Sequence, residues 1–336
     1  MESKAIEVTS QSEAMDLFAE KGWTDGLPII PPTEKLVDAF LQAASLASSE
    51  VLGVEPTKGA VVTAEKAAIN AVMAGCLPEY MPVVAAAIRA MTKPEFGLHG
   101  PTVSTMGASP LTIVTGPIAE EIGINSGVSL FGPGSRASAT IGRAIRLVIQ
   151  NVLGTSAREL DKATLGHAGK YTWCIAEDEA TSPWEPLHVT RGAPADASAV
   201  TVLAGLGPIQ VSQGTSSDPE SILDAFKDTL FACAPLMREV VLILGPEHIE
   251  HFRKAGWRKE QVGEYLHETV QRPASAWAAS YRPASGFAPD DDTRVSALFS
   301  PESAITMVAG GAGGAFSQII PTWSHGHSCK AVTSII

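Results

Sequence analysis

Apolar and polar positions change period several times along this chain, and each change marks an element. Ser10 with Glu13 three residues on forms a capping-box pattern ahead of AMDLFAEKGW, and Thr33 stands before the helical run EKLVDAFLQAASL. The segment between them, GWTDGLPIIPPT, holds too many Pro and Gly residues for either regular element and predicts a rigid extended loop. Thr63 caps AEKAAINAVMAGC, and after Pro78 a second helix runs through EYMPVVAAAIRAM. The short turn GCLPE between them makes a helical hairpin.

Period-2 and β-branched runs follow. PTVSTMGASPLTIVTG reads as two short strands, then PIAEEIGI and the loop NSGVSLFGPGS lead into a helix from Arg136 to Val152. Tyr171 to Ala176 reads as a strand, with Lys170, Thr172 and Cys174 on one side and Tyr171, Trp173 and Ile175 on the other. Beyond it AVTVLAGL, DPESILDAFKDTLFACA, EVVLILG, PEHIEHFRKAG and KEQVGEYLHETV alternate strand and helix, and SAITMVAGG and AFSQIIPTW read as strands around a glycine turn. Residues 272–303, with RPAS twice and the acidic run Asp290–Asp292, read as a long loop.

This grammar predicts an α/β fold, with mixed sheets packed by helices. Residues 1–160, with the hairpin, and 161–336 form two α/β halves that enclose a cleft as a duplication, or one continuous domain.

Composition narrows the class. The 336 residues are 45% hydrophobic and 6% aromatic, with 30 Gly and 23 Pro, which fits an ordinary globular protein. With 24 Lys plus Arg against 36 Asp plus Glu the formal charge is −12, and no basic stripe stands out, so nucleic acid is not an expected partner. The amino terminus lacks the apolar core of a signal peptide, and the longest uncharged stretch, Phe96–Ala119, is interrupted by Gly and Pro. A cytoplasmic protein without membrane association is expected. Four cysteines, at 76, 174, 233 and 329, have neither paired zinc spacing nor a C-x-x-C motif and are expected to be reduced.

Candidate chemistry gathers at six places. Ser135 and Arg136 at a helix start form a receptor for a carboxylate or phosphate. His167, in a glycine-flanked turn, and Lys170 are candidates for acid, base or charge stabilisation. Lys170 and Cys174 are about 13 Å apart along a strand, too far for thiol activation. His248 begins a helix after a strand, where α/β sites form, and Asp25 lies in the rigid loop. Gly311, Gly313 and Gly314 match neither a Walker loop nor a dinucleotide fingerprint but can expose amides to an anion. His325 and His327 share one side of an extended segment with Cys329, an incomplete metal set.

GWTDGLPIIPPT, INAVMAGCLPEYMPVV, GPIAEEIGINSGVSLFGPGSRASATIGRAIR, GHAGKYTWCIAEDEATSPWEPLH and MVAGGAGGAFSQIIP together resemble a group of bacterial proteins described as UGSC-like. The matches spread over most of the chain, and the Sec/Cys-Gly-Ser-Cys element behind the label is absent here. The resemblance implies shared architecture and no particular reaction.

The expected function is a cytoplasmic small-molecule enzyme, a lyase or hydrolase acting on an anionic substrate by acid/base chemistry without an organic cofactor. In it Ser135, Arg136 and the glycine turn bind substrate, while His167, Lys170, His248 and Asp25 act on it. A homo-oligomer is compatible with this. The alternatives are a thiol-dependent redox enzyme using Cys76 or Cys174, a hydrolase dependent on a divalent transition metal at His325 and His327, and a ligand-binding protein without turnover.

Overall fold

The structure is a computed structural model that describes residues 3–156, 159–233, 237–281, 288, 290–323 and 329–336. Its helices are α1 (Gln11–Glu20), α2 (Glu34–Ala43), α3 (Ala64–Ala74), α4 (Met81–Met91), α5 (His99–Val103), α6 (Ile118–Glu121), α7 (Arg136–Asn151), α8 (Leu187–Thr190), α9 (Pro219–Leu230), α10 (Pro246–Ala255), α11 (Lys259–Thr269) and α12 (Ala274–Tyr281). Its strands are β1 (Val51–Val54), β2 (Val61–Thr63), β3 (Ser109–Thr115), β4 (Cys174–Ala176), β5 (Ala199–Gly205), β6 (Ile209–Ser212), β7 (Val240–Leu244), β8 (Gln271–Pro273), β9 (Arg294–Ser296), β10 (Ala304–Val308), β11 (Phe316–Pro321) and β12 (Val332–Ile335). None of these helices is long and apolar enough to cross a membrane.

Two four-stranded mixed sheets dominate, in the orders β4-β3-β5-β12 and β10-β7-β11-β6. In each, the first pair is parallel and the next two pairs are antiparallel. Alternation along the strands assigns their faces. In the first sheet Leu111, Ile113, Ile175 and Leu203 join Val241, Ile243, Ile305, Met307 and Ile320 of the second in one apolar cluster, so the sheets lie face to face. Val114, Cys174, Val200 and Val202 turn outward onto α2, α3, α4 and α7. Val240, Leu242, Leu244 and Ile319 turn outward onto α9, α10 and α11. The α/β fold is therefore a four-layer helix–sheet–sheet–helix sandwich.

The matching pair patterns expose an internal repeat at the level of topology. β3, β4, β5 and β6 correspond in chain order to β7, β10, β11 and β12, but each fourth strand is exchanged: β6 pairs with β11, and β12 pairs with β5. The two crossing connections meet side by side. Gly205 bridges Thr322 antiparallel, with Leu206 N–H on the Pro321 carbonyl and Trp323 N–H on the Ala204 carbonyl. A Cβ on Gly205 would lie 2.8 Å from the Trp173 ring and 3.2 Å from Ile320, so the crossover needs a residue without a side chain there. Residue 160 falls between β3 and β4, which pair in one sheet, so strands from both sides of that position build the first sheet.

Ser10, Thr33 and Thr63 cap α1, α2 and α3. Glu13 departs from the capping box, its carboxylate accepting the Thr9 N–H. The strand expected over 171–176 begins only at Cys174, because residues 168–170 wind into a 3₁₀ turn that removes Lys170 from the sheet. Likewise PTVSTMGASPLTIVTG supplies one strand, β3, its first half being taken by α5. Within 272–303, described in part, the predicted loop carries α12 and the antiparallel pair β8–β9 on either side of it.

α7 packs so closely on the approach to β4 that a Cβ on Gly142 would stand 2.3 Å from the Trp173 nitrogen. Gly142→Ala is therefore expected to destabilise the protein by about 1–3 kcal/mol, despite the better helix propensity of Ala. Urea unfolding is the measurement. Gly313→Ala, whose Cβ would meet nothing within 4 Å, stays within about 1 kcal/mol of the parent.

Candidate functional site

β7 and β10 are parallel neighbours, so their carboxyl ends open on the same rim. β7 runs through Gly245 into α10, and β10 runs into the turn Ala309–Gly314. The carboxyl end of β4 reaches the same rim, since Asp178 N–H bonds the Val308 carbonyl at 2.8 Å. The loop after α6 lies across it, with Ala176 N–H on the Asn125 carbonyl and Gly310 N–H on the Ser126 carbonyl. Crevices form where parallel strands end in this way, because the connections diverge there.

The crevice here has two connected parts. One, of about 530 Å³, lies between the glycine turn and Val128–Gly132. The other, of about 350 Å³, continues past Leu130–Gly132 to His167 and Trp173. Among the described residues no Asp, Glu, Lys or Arg lines either part. Positive potential comes instead from the backbone. Gly310 and Gly314 sit at φ +114° and +82°, which turns successive amides to one side, and the amides of Gly311, Ala312 and Gly314 make no hydrogen bond among the described residues. Gly245 opens α10 without a side-chain cap, so the positive end of that helix faces the same space.

His167 lines the second part. Its Nδ1 accepts the Gly169 N–H at 3.2 Å, which places the proton on Nε2, and its ring meets Trp173 edge-on at 4.7 Å between centroids. Burial, aided by the Lys170 charge and opposed by the Gly205 carbonyl, lowers its pKa. The ring is thus a neutral donor.

His248 is 1% exposed and lies behind the glycine turn. Nε2–H donates to the Gln213 carbonyl at 2.8 Å, since that oxygen only accepts. Nδ1 then accepts the Ser317 hydroxyl at 2.7 Å, and Ser317 in turn accepts Gly245 N–H. Both nitrogens are committed to joining α10, β11 and the segment after β6, and burial lowers the pKa of this ring too.

The remaining residues singled out in the sequence serve other contacts. Ser135 caps α7 and donates to the Gly123 carbonyl, while Arg136 places two N–H groups on the Gly75 carbonyl at the end of α3. Asp25 forms a bidentate pair with Arg143 at 2.8 Å. Burial alone would raise its pKa, but the guanidinium holds it low. Lys170 and Arg146 both pair with Asp161, at 2.9 and 2.7 Å, and Lys170 also bonds the Ala108 carbonyl. None of Asp25, Ser135, Arg136 and Lys170 lines the crevice. His325 and His327 lie outside the described residues, among which no three His, Cys, Asp or Glu side chains converge as a metal set.

A larger cavity, about 600 Å³, lies beneath the extended segment Ser3–Val8 and is walled by Phe18, Trp23 and Met73. It is a gap under a surface strap, with no strand ends converging on it.

Sequence reasoning passed over Glu177 and Lys259. Glu177 follows β4, its side chain fully buried. Its Oε2 accepts Leu187 N–H at 2.6 Å, and its Oε1 stands 3.8 Å from the Lys259 ammonium without a hydrogen-bond partner. Burial pushes its pKa up to about 7, against the pull of Lys259. The available signal was Lys259 itself, a cation at the first position of α11, where the helix dipole disfavours one.

Comparison of the chain with protein-family models, curated proteins and solved structures finds no match.

Two outcomes are expected. Folding keeps a proton on Glu177 that the unfolded chain releases near its ordinary value of 4.5, so this group's contribution to stability falls as pH rises from there through about 7. His167 and His248 act oppositely, losing stability as pH falls below 6.5. Glu177→Gln removes only the first effect, so its unfolding free energy relative to the parent should rise between about pH 5 and 8. A fall, measured in urea at both pH values, contradicts the assignment. Cys76, Cys174 and Cys233 are buried, and burial raises all three thiols, Cys76 to about 12. Iodoacetamide at neutral pH should leave them unlabelled in the native chain and label them in urea, as read by peptide mass spectrometry.

Proposed function

We propose that the chain is a cytoplasmic small-molecule enzyme of the lyase or hydrolase class, whose substrate presents a compact anionic group to the glycine turn. The observation that carries this reading is the set of unbonded amides at Gly311, Ala312 and Gly314, beside the uncapped start of α10, in a crevice without a lining carboxylate. Such donors stabilise negative charge on a carboxylate, a phosphate or a developing oxyanion, and they need no reorganisation to do so.

Within this reading His167 supplies Nε2–H as a neutral hydrogen-bond donor at the far end of the crevice, and Trp173 and Phe131 give the organic part of the substrate an apolar wall. Asp25, Lys170, Arg136 and His248 keep structural roles, because their polar atoms are already bonded. The UGSC-like motifs support a common architecture for this arrangement. A ligand-binding protein without turnover is the second reading, favoured by the lack of any charged side chain on the crevice wall.

The test is a thermal-shift panel of small carboxylates and phosphate monoesters on the full chain, followed by product analysis for each hit. A ligand at about 100 times its Kd adds about 2.7 kcal/mol of stability. Gly311→Val, whose Cβ would enter within 2.8 Å of Val128, should remove the shift while the circular dichroism spectrum is retained. Absence of any hit at about 10 mM, or a shift unaffected by Gly311→Val, overturns the reading. A hit with no product selects the second one.

A further inference from the structure

A separate crevice, of about 390 Å³, follows the free edge of β10 between α8, α11 and the turn Pro301–Ser303. It shares no lining residue with the glycine crevice. Its inner end is buried and holds two cations, Lys259 and Arg191, each with a carboxyl as neighbour: Glu177 Oε1 stands 3.8 Å from the Lys259 ammonium, and Glu239 acts on Arg191. The Lys259 side chain is 11% exposed, and its ammonium donates to the Glu185 carbonyl at 3.0 Å, which leaves further N–H groups to offer. Arg191 is fixed by Nε on the Thr333 hydroxyl at 2.7 Å and by one terminal nitrogen on the Ala331 carbonyl at 2.6 Å. Its other terminal nitrogen makes no hydrogen bond among the described residues.

Thr306 lines the same inner end. It is 3% exposed, and its hydroxyl has no partner, although buried hydroxyls are normally hydrogen-bonded. The mouth is acidic instead. Glu260 and Glu264 form an i, i+4 row on α11, about 100° round the helix from the Lys259–Gly263 row, and Glu302 stands on the facing turn. All three are exposed. Leu187 and Ile305 provide apolar wall between the two ends.

We propose that this crevice is a second ligand site that takes a small zwitterion of the α-amino-acid class, with its carboxylate inward on Arg191, Lys259 and Thr306 and its ammonium outward toward Glu260, Glu264 and Glu302. The charge order of the pocket selects the class. A simple amine would bring its cation to the basic end, and a simple acid leaves the acidic mouth without a partner. The Thr306 hydroxyl gains the acceptor that the protein itself withholds.

The experiment is isothermal titration of the full chain with alanine, valine, leucine and methionine, each paired with the amine lacking the carboxylate and the acid lacking the amine. At least one amino acid should bind saturably, with both of its partners weaker by about tenfold or more, as expected for lost charge-assisted bonds. Thr306→Val should weaken binding by about fivefold or more without lowering the melting temperature, because it deletes a hydroxyl that has no partner in the free protein. Gly311→Val, in the other crevice, should leave the affinity unchanged, so failure here is separable from failure of the function proposed above. No binding at about 10 mM, equal binding of amines or acids, an affinity indifferent to Thr306→Val, or loss of binding in Gly311→Val each overturns the proposal.

Discussion

The rest of the molecule depends on the apolar contact between its two sheets. Neither sheet can leave its inner face in water, and each covers that face chiefly with the other sheet, while the long helices pack on the outer faces. The exchanged fourth strands lock this contact. Chain continuity carries β5 into one sheet and β6 into the other, and the return passes antiparallel to it at Gly205 and Thr322. Trp173 closes the layer over Gly205 and turns its ring edge toward His167, so the packing of the core reaches directly to one wall of the glycine crevice.

The two recesses occupy different places in the fold. The glycine crevice opens where β4, β7 and β10 end on one rim, whereas the other recess follows the free edge at the start of β10. The segment after β10 is glycine-rich and uncharged, and backbone amides do the electrostatic work there. After β4 comes Glu177, a buried carboxyl facing the Lys259 ammonium across 3.8 Å. Burial there favours the protonated carboxyl, against the pull of Lys259 and the Leu187 amide. One recess therefore works by dipoles and the other by ions. Other largely buried charges hold loops to the helix α7, Asp25 to Arg143 across 118 positions and Asp161 to Arg146 across 15, with Lys170 on the same Asp161 carboxylate.

Local rules carried the helices. Ser10, Thr33 and Thr63 cap as their residue types require, the hairpin of α3 and α4 follows from its turn, and the glycine run between β10 and β11 reads directly as a turn with exposed amides. Where local rules failed, a competing interaction won. The stretch before β4 alternates like a strand, but the His167 side chain accepts the Gly169 N–H and winds it into a 3₁₀ turn. Arg136 looks like an anion receptor from its position at a helix start, yet its guanidinium reaches the carbonyl that ends another helix.

By itself the sequence determined the class of fold, the extents of the long helices and strands, and the glycine turn, because caps, periodicity and backbone freedom act over a few residues. The tertiary structure alone decided that the sheets stack with exchanged edges, that Lys170 and Asp25 are consumed in ion pairs, and that Glu177 meets Lys259 eighty-two positions away. Those outcomes depend on which distant groups share a low-dielectric space, and the strength of a charge or a hydrogen-bonding atom is set by that space, not by its neighbours along the chain.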